Sequence, residues 1–213
     1  KISNDNQSNY QTLLKWSTFN STPLSKSTVF ISYFFPLLFL LVLAGYIVTY
    51  STTFATALSY LFLINLIVLG RFMNRIQAEI ANSSNIDKTI HQYSLLLQKI
   101  EEETFQSGKL IDLQQKLLFK KENASVHLKQ LAGLFSKMDS IGNFVTAIVF
   151  NGTFLFNLHV LKSLIQWKIE HAEALENWLV VIGEFEMLNS LANMSYNNLE
   201  FVYPTLNTNF EID

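Results

Sequence analysis

The sequence predicts an all-α fold: an N-terminal transmembrane helical hairpin followed by a cytoplasmic helical core or lever domain. Three observations predict it. Two long apolar runs near the N-terminus carry no charged side chain. Only 3 Pro and 7 Gly occur in 213 residues, too few for a turn-rich sheet protein. From Ile86 onward, apolar residues recur at the three- and four-residue spacing of a helix face.

Residues 1–27 are polar apart from an amphipathic piece, Tyr10 to Phe19, in which Leu13, Leu14 and Trp16 form an apolar side. Such a piece lies on the membrane surface or packs on later helices. Residues 28–72 form the hairpin. Val29 to Val48 is about 20 apolar residues, the length that crosses a hydrocarbon core about 30 Å thick at about 1.5 Å per helical residue. Phe54 to Gly70 is at the short end but continues without a breaker into Arg71 and Phe72. Thr49 to Thr53 leave room only for a tight turn. Lys15 and Lys26 precede the first run, Arg71 and Arg75 close the second, and the turn is uncharged. Basic flanks stay on the cytoplasmic side, so both outer ends are expected there. The competing reading is a hairpin buried in a soluble helical core. A signal peptide fits poorly, because the first run is too long and too far from the start.

Residues 73–196 are read as a cytoplasmic helical core domain. Ile86, Ile90, Tyr93, Leu97 and Ile100 make the seam of its first helix. Gln106-Ser107-Gly108 marks a break, with Gly108 as a left-handed cap. A second helix is expected from Leu110 to about Lys121 and a third from Ala124 to Met138. Asp139 or Ser140 then caps a long apolar helix from Ile141 to about Trp167. A third membrane span competes there. Asn143, Asn151, Asn157, His159 and Lys162 recur along the segment and favour a central core helix of the soluble domain instead. A last helix is expected from Ala172 to about Met194, and residues 197–213 are read as an extended linker.

Charge and composition exclude several functions. The chain has no cysteine, so disulfides, thiolate catalysis and cysteine-ligated zinc are out. From Phe72 onward, 16 acidic residues face 11 basic ones. An acidic body does not favour gripping a nucleic-acid backbone, and DNA contact has no support from charge. His91, His127, His159 and His171 lack strong ligand spacing. Glu170-His171 with Glu173 reads as a solvated face, and His159 as a hydrogen-bonded core or interface residue. Gly108-Lys109 is not a phosphate loop, since Glu103 stands where the first glycine is required and Leu110 where Ser or Thr would bind magnesium. No catalytic, cofactor or metal residue is assigned. Lys116, Lys120, Lys121 and Lys129 form a local basic stretch able to touch phosphates or anionic lipid head groups, against the plainer reading of a solvated face.

Toward the C-terminus, Glu186-Met187-Leu188-Asn189-Ser190-Leu191-Ala192, Phe201-Val202-Tyr203-Pro204 and Phe210-Glu211-Ile212-Asp213 resemble the end of the helical core domain of the DNA mismatch-repair MutS family. The stretch Asp139 to Trp167, with Asn151-Gly152 and Phe156-Asn157-Leu158-His159, resembles the long core helix of membrane-hairpin members of that family. The resemblance covers roughly residues 85–213 for the core. It implies a lever that couples an ATPase domain, expected after Asp213, to ligand or DNA. It also implies ATP and Mg bound by that domain alone, a homodimer formed through it, and a bacterial inner-membrane location. The phosphate loop, the metal-binding acidic strand and the mismatch-reading Phe-x-Glu element do not occur in these residues, so this chain by itself is not expected to be an enzyme. A first residue of Lys rather than Met fits a fragment. The competing expectation is a stand-alone membrane adaptor whose helices bind a protein partner.

Overall fold

A computed structural model describes residues 2–18, 21–80, 86–139 and 144–200. Eight helices and one small hairpin occur among them: α1 (Ile2–Thr18), α2 (Lys26–Thr49), α3 (Thr52–Ile80), α4 (Ile86–Glu102), α5 (Gly108–Gln115), β1 (Leu118–Phe119), β2 (Glu122–Asn123), α6 (Ala124–Asp139), α7 (Phe144–Phe154) and α8 (Phe156–Asn197).

The apolar runs become α2 and α3, both long and apolar enough to cross a membrane. Ser25 caps α2 by accepting from the Thr28 amide at 3.1 Å. Tyr50, left-handed at φ 48°, ends it and turns the chain into α3. The helices lie close at this end, where a β-carbon on Gly45 would come within 2.8 Å of the Phe54 ring. Outward-facing Leu41 and Ile67 are 61% and 73% exposed, as a lipid-facing surface requires.

α1, α4, α5, α6 and α8 share one core, which Leu69 and Ile76 of α3 also enter. Leu13 and Trp16 of α1 are buried in it, so the N-terminal amphipathic piece packs on later helices. Ile90 and Leu97 of α4 meet Leu128, Leu131 and Phe135 of α6, and α8 closes the group with Leu161, Leu164, Leu175 and Trp178. The antiparallel pair β1–β2 joins α5 to α6 with Leu118 opposite Asn123.

Several elements differ from the expectations. Gly108 is the first residue of α5 behind Ser107, and no described glycine has positive φ. The second helix stops at Gln115, because the chain reverses through Lys120 and Lys121, both left-handed, in place of another helical turn. Asp139 is the last residue of α6, and Ser140 lies outside the described residues. The expected helix Ile141–Trp167 is broken: Leu155 is left-handed at φ 49°, and α7 and α8 meet at 78°. The expected gap between Trp167 and Ala172 is absent, since α8 runs unbroken for 42 residues. α7 is not a central core helix. It packs on the hairpin, mainly along α3. The extended linker at 197–213 falls largely outside the described residues.

Candidate functional site: the joint between hairpin and core

Three polar connections tie the hairpin to the rest of the chain. Each begins with a backbone or charge problem that the sequence creates.

The first problem is Pro36. Its ring nitrogen has no hydrogen, so the carbonyl four residues earlier, Ser32, loses its helical donor. His159, in the first turn of α8, supplies the missing donor: its Nε2 donates to the Ser32 carbonyl at 2.9 Å. That contact fixes the tautomer with hydrogen on Nε2. The Tyr33 ring meets the imidazole edge-on at 4.7 Å. Lys162, one turn further, donates to the Tyr33 hydroxyl at 3.2 Å and lies 5.0 Å from its ring centre.

The second problem is the break at Leu155. It frees carbonyls at the end of α7 and amides at the start of α8. Asn65 of α3, fully buried, donates through Nδ2 to the Gly152 carbonyl at 2.7 Å. Asn151, 1% exposed, accepts from the Asn157 amide at 2.8 Å through Oδ1, while its Nδ2 donates to the Ala147 carbonyl at 2.8 Å. One asparagine therefore serves both half-helices. Gly152 is the residue this approach needs, because any β-carbon there would overlap the Phe62 ring. The Leu155 side chain is wholly buried, which holds the strained residue in place.

The third problem is charge. Glu79, near the end of α3, is 3% exposed, and so is Lys168 of α8. Lys168 Nζ donates to Glu79 at 2.8 Å and to the Ser21 hydroxyl at 3.0 Å, and Ser21 donates to the other Glu79 oxygen at 2.5 Å. The ammonium also sits 4.2 Å from the Trp16 ring centre. Four segments thus meet at one ion pair: α1, the 21–25 connection, α3 and α8. Arg75 adds a bond to the Thr22 carbonyl beside it.

Away from the joint, His171 is buried, although Glu170 and Glu173 beside it are exposed. It donates through Nδ1 to the Trp167 carbonyl at 2.9 Å and lies 4.6 Å, ring to ring, from His127. His127 stacks on Trp178 with ring planes 6° apart. Its Nε2 is 3.5 Å from Glu122, and neither ring nitrogen has a well-directed hydrogen-bond partner. Burial first, and the neighbouring His171 second, push the His127 pKa below the usual histidine value. No group of three potential metal ligands occurs among the described residues.

The basic residues are spread over three elements. Lys116 caps the end of α5, Lys120 and Lys121 form the β1–β2 turn, and Lys129 lies on α6, where it lines a groove of about 300 Å³ with His91, Gln98 and Glu102.

Sequence reasoning read His159 as a hydrogen-bonded core or interface residue but missed Asn65 and the Glu79–Lys168 pair. The signal for Lys168 was its phase: it stands four residues after Leu164 and seven after Leu161, inside the apolar stripe of α8.

These features define a mostly helical protein with two candidate membrane-spanning helices, locked to its helical core by buried polar contacts. No protein-family model matches the chain, and comparison with curated proteins and with solved structures yields no match.

Proposed function

We propose that this chain is a membrane-anchored coupling body: the hairpin holds it to the bilayer, and α8 carries position from the membrane to a protein module seated on its last turns. The observation that carries this reading is the course of α8. It starts against α2 through His159, stays against the core as far as Leu188, with Phe185 on Phe105 and Glu184 paired to Lys109, and then projects from it. At about 1.5 Å per residue its 42 residues span about 63 Å. From the last packed turn outward, Met187, Leu191 and Met194 are each at least half exposed, at four- and three-residue spacing. Helical turns without tertiary contacts are marginal in water, and an apolar stripe on them suits a packed partner.

In the reading that follows the MutS resemblance, the module is an ATP- and Mg-binding domain after Asp213, through which two copies pair, and the membrane is a bacterial inner membrane with the helical core on its cytoplasmic side. DNA is then a candidate ligand of the whole assembly. In the adaptor reading, the same stripe seats a separate protein. The coding sequence beyond residue 213 separates the two: a Gly-x-x-x-x-Gly-Lys-Ser/Thr motif supports the first, and a continuation without it overturns that reading.

The coupling role itself is tested by distance. Spin labels at Ile67→Cys in the hairpin and Asn193→Cys on the projecting turns, in a chain with no native cysteine, report one narrow distance in lipid nanodiscs if α8 is held rigidly. A broad distribution refutes coupling through this helix.

A further inference from the structure

We propose that α7 is a third intramembrane element, a half-helix lodged against the hairpin with lipid acyl chains covering its outer face. The proposal rests on the reading of α2 and α3 as membrane-spanning.

Depth is the first argument. Asn65 lies six residues before Arg71, the first charge after the apolar run, and so about 9 Å inside it. It bonds to Gly152, and Phe62, deeper still, packs against the same glycine. The end of α7 is therefore level with the hydrocarbon part of α3.

Composition is the second. Residues 141–161 contain no Asp, Glu, Lys or Arg. Val145, Val149 and Phe154 are 65%, 49% and 43% exposed. They extend the outward apolar surface of a hairpin that already displays Leu41 and Ile67. A continuous patch of this kind needs a lipid cover or a protein one, and here it continues a lipid-facing surface.

The third argument is how the backbone defects are met. In water, a broken helix hydrates its freed groups. In hydrocarbon, each freed group needs a partner from the protein, and broken helices survive only where neighbours supply one. Asn65 serves the α7 carbonyl, Asn151 serves an α8 amide, and His159 serves the carbonyl released by Pro36. Three side chains are spent on backbone repair within one small region, although the Oδ1 atoms of Asn65 and Asn157 are buried there with no hydrogen-bond partner.

An α7 of 11 residues is about 16 Å long, half the hydrocarbon thickness, and the 78° bend sends α8 away from the axis of α7. The result is an inserted half-helix rather than a span.

The test uses the cysteine-free chain in vesicles of phosphatidylcholine with phosphatidylglycerol. Single cysteines replace Val145, Val149 and Phe154, with Leu41→Cys and Ile67→Cys as lipid references and Leu95→Cys on α4 as the aqueous reference. Each carries an environment-sensitive fluorophore. Lipids brominated on their acyl chains quench the α7 sites as strongly as the Leu41 and Ile67 sites, and aqueous iodide quenches only the Leu95 site. Quenching by iodide at α7, with the hairpin references still quenched by brominated lipid, overturns the proposal and leaves the anchor intact. Iodide quenching at the hairpin references overturns the membrane reading and the proposal with it.

Discussion

Replacing Lys168 with Met separates a buried ion pair from ordinary packing. Lys168 and Glu79 are both 3% exposed, with Nζ 2.8 Å from the carboxylate. Lys168→Met leaves the Glu79 carboxylate in the core with only Ser21 donating to it. Breaking a buried pair on one side costs about 3–5 kcal/mol, because an uncompensated charge stays behind. That raises the unfolding equilibrium constant by about two to four orders of magnitude. Replacing both partners, as in Lys168→Met with Glu79→Leu, removes the attraction and the desolvation cost together, so stability returns to near the starting value or above it. Equilibrium unfolding in detergent micelles measures both variants by helical circular dichroism and tryptophan emission. Trp16, whose ring lies over the ammonium, reports locally. Two results refute the reasoning. A single-variant loss under about 1 kcal/mol is the behaviour of a solvated pair. A double variant as unstable as the single one assigns the loss to side-chain shape instead of charge.

Four further predictions follow from the same geometry. His159→Phe removes the donor to the Ser32 carbonyl and costs about 1–3 kcal/mol, and Pro36→Ala, which restores the helical donor, makes that loss smaller; a double-mutant cycle reads the coupling. Asn65→Leu raises the hydrophobicity of α3 yet destabilises the fold by about 1–3 kcal/mol, because the Gly152 carbonyl loses its buried donor; thermal unfolding in nanodiscs shows the sign. His127, with its pKa depressed, binds a proton less readily folded than unfolded, so stability falls as pH drops through about 6.5 and keeps falling until the folded imidazole itself protonates; His127→Phe flattens that part of the pH–stability curve. Lys120→Asn with Lys121→Gly suits the two-residue turn, whose residues have φ of 49° and 72°, and raises the unfolding free energy by about 1–2 kcal/mol for each left-handed lysine relieved, read by equilibrium unfolding.

The hairpin was legible because hydrocarbon imposes length and apolarity together, and both can be counted along a chain. The α4 seam was legible for a similar reason: Ile90, Leu97 and Ile100 are buried at the spacing that predicted them. The break at Leu155 was not legible. The segment around it reads as continuous helix, and a left-handed leucine is set by contacts from Asn65 and Phe62, which stand almost 90 residues earlier in the chain. The asparagines argued against a membrane location when they were counted as exposed polar groups. Of the residues in that count, Asn151 and His159 are spent on backbone partners, while Asn157 Oδ1 is buried with no hydrogen-bond partner. Lys168 was hidden in the same way, since residue type outweighed its position in the apolar stripe.

The geometry of α8 decides how far the joint constrains the molecule. One attachment, at His159 and Lys162, sits on α2. The other, at Lys168, sits on the C-terminal extension of α3. From His159 to Lys168 is nine residues, about 14 Å of helix. A helix pinned at one point pivots about it, and a helix pinned at two points this far apart, on two different helices of the hairpin, keeps its direction. Any change in the angle between α2 and α3 must then turn α8 as a body or break one of the two attachments. The projecting turns beyond Leu188 lie roughly another 30 Å from Lys168, so a small rotation at the hairpin appears there enlarged. Weakening the Lys168 attachment alone should therefore broaden the Ile67–Asn193 distance distribution while leaving a short distance across the His159 contact unchanged. A distribution that stays narrow in Lys168→Met would place all the rigidity at the α2 attachment.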